Sequence, residues 1–184
     1  KEMIFAKTLP QSNSLNKANW VHRGPYNVGG RTRALALDVL DENTMFAGGA
    51  SGGMFRSTDG GQSWDMTTDP NQLHNVTCVA QDTRVGKENI WYFGSGELTG
   101  SSASGGESYY GGNGIYKSVD GGSAWSKVIM PSSTSGTLFE PNDIEISSDN
   151  TIWVSTTEGL FSFSDGGGTI FSSLDGNTFT EKFV

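Results

Sequence analysis

The sequence has few charged residues and no cluster of basic ones. Charged side chains make up 17% of the 184 residues, and the formal net charge is −8 at pH 7. Proteins that bind nucleic acid neutralise phosphates with a basic face. We therefore expect no nucleic-acid partner.

Long apolar runs and helical periodicity are also missing. No stretch approaches the roughly 20 apolar residues that a membrane-spanning helix needs, so we expect no membrane insertion. No segment sustains the i, i+3, i+4, i+7 apolar spacing of an amphipathic helix. Residues 1–5 show no signal peptide, which leaves two alternatives: a cytosolic protein, or an exported one whose leader has been removed.

Cysteine and metal-ligand patterns are equally scarce. Cys78 is the single cysteine, so no internal disulfide and no cysteine-based metal site can form. It lies in an apolar run, residues 76–80, which predicts a buried and inert thiol. His22 and His74 lack ligand spacing to any carboxylate, and the glycines at 48–53 lack the lysine and helix of a phosphate loop. We expect no metal and no cofactor.

A repeated motif dominates what the sequence does contain. Ser-x-Asp-x-Gly-x-x-Trp occurs at residues 57–64 and again at 118–125, and a degenerate copy that ends in Phe179 occupies residues 173–179. The copies start 61 residues (57 to 118) and 55 residues (118 to 173) apart. Recurrence at a period of this size indicates a repeat architecture.

Each repeat reads as four short strands joined by turns. The predicted strands are 33–38, 44–47, 53–57 and 64–67 in the first unit; 76–81, 90–94, 114–118 and 125–128 in the second; and 143–147, 152–155, 159–162 and 179–183 in the third, with an extra segment at 170–172. Four strands per unit are typical of a β-propeller blade. The sequence therefore predicts an all-β fold of four-stranded antiparallel blades.

The predicted organisation is an N-terminal extension at 1–19 and a partial propeller at 20–184. Its blades are expected at about 31–70, 74–131 and 141–184. Because propellers close with about four to eight blades, we expect these three to belong to a larger propeller, with the remaining blades of the same protein as partners.

The motif has a local structural role as a tight turn between the third and fourth strands of each unit. Asp is suited to accept hydrogen bonds from turn amides, and Gly supplies positive φ. The aromatic residue that ends the motif then packs between blades, so we expect Trp64 and Trp125 to be largely buried. The predicted structural residues are Ser57, Asp59, Gly61, Trp64, Ser118, Asp120, Gly122, Trp125 and Asp175.

These motifs resemble those of the Asp-box (BNR) repeat superfamily, which includes sialidases, xyloglucanase-type glycosidases and sortilin-like receptors. The resemblance extends from about Trp20 onward and is closest to large secreted bacterial members. It implies a secreted or cell-surface location with the leader already removed, and contact with an export or surface-attachment machinery. These implications rest on fold-level analogy.

The longest connection between second and third strands, residues 95–113, is the candidate binding site. It carries two carboxylates, Glu97 and Glu107, and two aromatic side chains, Tyr109 and Tyr110. Aromatic faces stack on sugars, and carboxylates accept hydrogen bonds from hydroxyl groups. Two alternatives stay open: a surface loop without function, and tyrosines that only cover a neighbouring blade.

Catalysis is not expected from this chain alone. In xyloglucanase-type relatives the first-blade loop carries a catalytic Asp, where Ala50 or Ser51 stands here, and the Arg-Ile-Pro motif of sialidases is absent. We expect a non-catalytic module that binds a glycan or a protein. The alternatives are part of a sialidase- or xyloglucanase-like glycoside hydrolase whose catalytic carboxylates lie partly outside this chain, and a structural scaffold of an export cargo or adhesin.

Overall fold

A computed structural model describes residues 30–72, 74–97, 110–128, 130–131, 139–158 and 168–183. Throughout these ranges the secondary structure is strand and turn, with no helix and hence none long and apolar enough to cross a membrane. The described residues form twelve strands: β1 (Thr32–Leu37), β2 (Met45–Gly49), β3 (Gly53–Ser57), β4 (Asp65–Met66), β5 (Val76–Gln81), β6 (Trp91–Glu97), β7 (Tyr110–Ser118), β8 (Ser126–Val128), β9 (Phe139–Ile146), β10 (Ile152–Glu158), β11 (Gly168–Ser173) and β12 (Thr180–Phe183).

The strands form three separate four-stranded sheets, each an antiparallel meander. Blade 1 has the order β1-β2-β3-β4, blade 2 has β5-β6-β7-β8, and blade 3 has β9-β10-β11-β12. Consecutive strands pair in every sheet because the intervening turns are short or rich in glycine and Asx residues. The predicted all-β fold of four-stranded antiparallel blades is confirmed.

The third blade differs in detail from the sequence-based prediction. Its third strand is β11, at Gly168–Ser173, so the segment predicted as an extra at 170–172 belongs to the regular meander. The strand predicted at 159–162 lies outside the described residues. The motif still falls between the third and fourth strands, as in the other blades.

Two hydrophobic clusters hold the blades together. One lies between blades 1 and 2 and consists of Ala34, Phe46, Met54, Val76, Trp91, Phe93, Tyr116 and Trp125. The other lies between blades 2 and 3 and consists of Cys78, Tyr92, Ile115, Val128, Ile144, Ile152, Val154, Phe171 and Phe179. Each middle strand alternates its side chains between two neighbours, so Trp91 and Phe93 face blade 1 while Tyr92 faces blade 3.

The meander gives the sheets two distinct ends. One end, the turn face, carries the connections from first to second and from third to fourth strands; here the Gly60 and Gly121 amides donate to the carbonyls of Asn43 and Asn89. The other end, the loop face, carries the connections from second to third strands and those between blades. There the amides of Gly53 and Gly96 donate to the carbonyls of His74 and Asn75.

Candidate functional site

The β6–β7 hairpin is the longest hairpin on the described part of the loop face. Its strands run further than the sequence suggested, because Glu97 pairs with Tyr110 after a register shift beyond Ser95. The connection therefore shortens from 95–113 to residues 98–109. Glu107 and Tyr109 lie outside the described residues, and for Glu97 and Tyr110 only the backbone is described.

Glycine is required at the base of this hairpin because the two strands approach too closely for side chains. A Cβ atom on Gly112 would lie 2.1 Å from the Ser95 carbonyl oxygen, and one on Gly96 would lie 2.8 Å from Gly112 Cα. Gly96 also has a φ of 111°, a conformation that L side chains avoid. The fully buried Ser95 hydroxyl accepts a hydrogen bond from the Asn113 backbone N–H at 3.0 Å and donates one to the Gly114 carbonyl at 2.8 Å.

Two polar side chains from different strands hold the hairpin base through the backbone of β7, an arrangement we call the clamp. Asn75, immediately before β5, donates from Nδ2 to the Gly111 carbonyl at 2.7 Å. Glu140, on β9 of the next blade, accepts the Gly112 amide on Oε1 at 2.9 Å. Glu140 is only 2% exposed, and a carboxylate acceptor makes this a strong hydrogen bond. The hairpin is thereby tied to blade 3 as well as to its own blade.

The two blades are in close contact immediately below the clamp. Thr77 donates from its hydroxyl to the Pro141 carbonyl at 2.6 Å, and a Cβ on Gly94 would lie 2.7 Å from Pro141 Cβ. Cys78 is buried at this junction, and its burial raises the pKa of the thiol to about 12. It therefore packs as an apolar side chain and is not a nucleophile at neutral pH.

On the turn face, the three motifs form turns built alike, which we call the Ser-Asp-Gly turns. In each turn the serine hydroxyl donates a hydrogen bond to the aspartate carboxylate and accepts one from a glycine N–H. The distances from glycine N to serine Oγ are 2.9 Å for Gly61 and Ser57, 2.8 Å for Gly122 and Ser118, and 2.8 Å for Gly176 and Ser173. The aspartates accept amides further along the turn, from Ser63, Ser123, Ala124, Asn177 and Thr178.

These hydrogen bonds stabilise the charged form of the aspartates. Bonds from the side chain and amide of Ser63 lower the pKa of Asp59 to about 2, and the amides of Thr178 and Asn177 lower that of Asp175 to about 2. The Ser118 hydroxyl is the main cause of the lowered pKa of Asp120. Groups with such values cannot donate a proton at neutral pH, and each sits on a different blade.

The aromatic residues of the turns differ in burial. Trp125 is 6% exposed and Phe179 is 4% exposed, but Trp64 is 38% exposed. The prediction that Trp64 is largely buried is wrong. Trp125 packs edge-on to Phe93 across a centroid distance of 4.8 Å and donates to the Thr67 hydroxyl, whereas within the described ranges no blade precedes blade 1 to cover Trp64.

Sequence reasoning missed the polar residues that join blades 2 and 3. Asn75 and Glu140 belong to no repeated motif, so the repeat pattern gave them no role. The same holds for Asp82, which is completely buried and binds the Arg84 guanidinium. Arg84 also donates to the Asn150 and Leu174 carbonyls of blade 3. No cluster of three or more possible metal ligands occurs within the described ranges.

Comparisons with known proteins bear on the fold alone. No protein-family model and no curated protein sequence matches this chain. Solved structures do match it. The fold is that of a β-propeller. The GH74 xyloglucanase from Xanthomonas campestris aligns over 80% of this chain and 21% of its own, at 20% identity and a TM-score of 0.55.

Two further structures match over similar lengths. An ancestral GH74 enzyme aligns over 83% of this chain and 20% of its own, at 16% identity and a TM-score of 0.60. YCF48 bound to D1 peptide aligns over 83% of this chain and 40% of its own, at 14% identity and a TM-score of 0.50. The chain thus spans about a fifth of the length of the GH74 structures.

Within the propeller, the clamped hairpin and the Ser-Asp-Gly turns lie at opposite ends of the blades. Propeller loops are positioned by a rigid scaffold, which favours them as binding elements. The hairpin held by Asn75 and Glu140 is therefore the candidate functional site, whereas the polar groups of the Ser-Asp-Gly turns bind one another within each turn.

Proposed function

We propose that this chain is a segment of an Asp-box β-propeller that binds a glycan without cleaving it, through the β6–β7 hairpin. The observation that carries the proposal is the clamp at the hairpin base. Asn75 and Glu140 both bind the backbone of β7, at Gly111 and Gly112, where the two strands of the hairpin already meet at glycines. Burial of the Glu140 carboxylate costs free energy unless the carboxylate is hydrogen-bonded. Its bond to Gly112 therefore favours one fixed position of the hairpin relative to blade 3.

The residues beyond the clamp suit a sugar ligand. Glu97 and Tyr110 are direct partners in the last pair of the hairpin, and the connection they flank contains Glu107 and Tyr109. Sugar recognition combines a stacking aromatic face with acceptors for hydroxyl groups. We assign these four residues to the binding site.

A non-catalytic role is favoured over hydrolysis by the carboxylates on the loop face. Glycoside hydrolysis needs two carboxyl groups that flank the scissile bond. Glu140 is buried against the Gly112 amide, and the position implied for a catalytic Asp holds Ala50, which is buried, or Ser51. In a hydrolase the catalytic carboxylates would lie partly outside this chain, with Glu97 or Glu107 as the contribution of this hairpin.

A protein ligand is the second candidate. It is favoured by the YCF48 structure, in which a propeller of similar fold is bound to a peptide. An exported scaffold is the third candidate, because the Asp-box resemblance implies a secreted or cell-surface protein that passes through an export machinery. Fractionation of cells that express the natural gene tests that location.

A glycan array tests the proposal. The purified chain is applied alongside Tyr109→Ala, Tyr110→Ala and Glu107→Gln, with Val119→Ala as a matched control because Val119 is exposed on the turn face. We expect saturable glycan binding that falls about tenfold or more in the tyrosine variants and is unchanged in the control. Binding that survives all three loop changes, or release of reducing ends, would contradict a non-catalytic site in this hairpin. A peptide array used in parallel decides between the glycan and protein candidates.

A further inference from the structure

The second strands of blades 2 and 3 end at equivalent positions on the loop face, and each of these positions holds a glutamate. Strand β6 runs from the partner of Ser118, the serine of its Ser-Asp-Gly turn, to Glu97. Strand β10 runs from the partner of Ser173 to Glu158. Both strands have 7 residues. The two glutamates therefore occupy the same place in neighbouring blades.

Glu140 connects the ends of these two strands. Its carboxyl carbon lies 3.1 Å from the place that a Cβ on Gly96 would occupy, and Gly96 directly precedes Glu97. Its backbone pairs with Thr157, which directly precedes Glu158. The positions of Glu97 and Glu158 are thus both adjacent to Glu140, at the loop-face end of the junction between blades 2 and 3.

The charges of the segments around this junction are of one sign. The connections between the described strands on the loop face contain no Lys and no Arg. They comprise residues 50–52, 67–75, 98–109, 129–138 and 159–167. Their acidic residues are Asp69, Glu107 and Asp165. Together with the three glutamates at the strand ends, these connections contribute only negative charge.

Carboxylates in this position favour a ligand that brings hydrogen-bond donors and positive charge. An ionised carboxylate only accepts hydrogen bonds, and it forms its strongest ones with cationic donors. Tyr110, the direct partner of Glu97, adds an aromatic ring, which attracts cations as well as sugar rings. An anionic sugar would be repelled by the same carboxylates and by the net charge of −8.

We propose that the ligand of the clamped hairpin is a glycan with free amino groups, such as an oligomer of glucosamine. The ligand lies across the junction of blades 2 and 3 and contacts Glu97 from one blade and Glu158 from the next. This inference rests on the proposed function, which it narrows to one class of sugar. Protonated amines on successive sugar rings suit glutamates that recur from one blade to the next.

Isothermal titration calorimetry with three oligosaccharides of equal length tests this inference. The probes are oligomers of glucosamine, N-acetylglucosamine and galacturonate, which carry positive, zero and negative charge. The titrations are made at about pH 6, where glutamates are ionised and amines are protonated. We expect the glucosamine oligomer to bind about tenfold or more tightly than the N-acetylated oligomer in low salt. This preference should shrink as added salt screens the charges.

Two substitutions and a matched control locate the effect. Glu97→Gln and Glu158→Gln should each weaken binding of the glucosamine oligomer about threefold or more, with a smaller effect on the N-acetylated oligomer. Glu42→Gln removes the same charge from an exposed position on the turn face and should leave both affinities unchanged. Circular dichroism shows whether each variant is folded.

The other possible results separate this inference from the proposed function. If the N-acetylated or galacturonate oligomer binds as tightly as the glucosamine oligomer, and Tyr110→Ala weakens that binding, the inference is wrong and the glycan site stands. If none of the three binds, the inference is wrong, and the glycan array decides whether the site takes another sugar. Equal losses in Glu42→Gln and the two site variants, or a lysine peptide that binds as tightly as the glucosamine oligomer, would also overturn the inference.

Discussion

At the scale of single residues, the serine hydroxyl of each Ser-Asp-Gly turn both donates and accepts hydrogen bonds within the turn. Ser118 is 1% exposed, receives the Gly122 and Asp120 amides and donates to the Asp120 carboxylate. One hydroxyl thereby satisfies amides that would otherwise be buried without a partner, which explains why a serine opens each copy of the motif.

Replacement of this serine should destabilise the fold. We expect Ser118→Ala to lower the free energy of unfolding by about 1–3 kcal/mol, because the buried Gly122 amide loses its acceptor. Urea denaturation followed by fluorescence measures the change. The control is Ser126→Ala, at an exposed position of β8, which should stay within about 0.5 kcal/mol of the parent. Equal effects of the two changes would contradict the role of the hydroxyl.

The aspartates of the turns predict acid sensitivity. Hydrogen bonds lower the pKa of Asp59 and Asp175 from 3.8 to about 2. Their folded pKa is depressed, so their contribution is fully present above pH 4 and is lost as pH falls from about 4 to about 2. The Tm difference between the parent and Asp59→Asn should therefore narrow over that range in a thermal scan at several pH values. A difference that is independent of pH would refute this account.

At the scale of the blade, the interlock of a ring with a glycine sets how neighbouring sheets fit. Gly61 and Gly122 have nearly the same φ, 85° and 79°, but differ in their surroundings. A Cβ on Gly61 would be 3.4 Å from Met45 Sδ, an ordinary contact, whereas a Cβ on Gly122 would overlap the Phe46 ring. Substitution at both glycines therefore separates the free-energy cost of a positive φ, which the two positions share, from the cost of overpacking, which applies only at Gly122.

Alanine at the two glycines should therefore have unequal effects. Both Gly61→Ala and Gly122→Ala lose roughly 1 kcal/mol or more from positive φ. We expect Gly122→Ala to lose about 1–3 kcal/mol in addition, from overpacking against Phe46. Chemical denaturation of the two variants gives the difference, and Phe46→Leu in the Gly122→Ala background should recover part of it. Equal losses would mean that Phe46 does not constrain Gly122.

The blade architecture could be predicted from the sequence, whereas the contacts between blades could not. The two intact motifs fix the period, and the turn chemistry at Asp59 and Asp120 is local. Whether Trp64 is buried depends on a neighbouring blade, and the local sequence around Trp64 carries no information about that blade. The third strand of blade 3 was displaced in the prediction because residues 159–162 resemble Gly53–Ser57 in composition.

At the scale of the whole molecule, the candidate site joins parts of the chain that are far apart in sequence. Glu140 reaches Gly112 across 28 positions, from a strand whose start carries no motif. The hairpin itself was predictable from its length, its carboxylates and its tyrosines. Its clamp was not, because Asn75 and Glu140 meet it only when two blades pack side by side.

The central claim is that ligand binds at the clamped hairpin on the loop face. Amide hydrogen exchange, measured by mass spectrometry with and without a glycan identified on the array, tests this most directly. We predict slowed exchange in residues 95–113 and around Asn75 and Glu140, with Glu140→Gln weakening the effect and Val119→Ala leaving it intact. Slowed exchange confined to the Ser-Asp-Gly turns at 57–64, 118–125 and 173–179 would contradict the account.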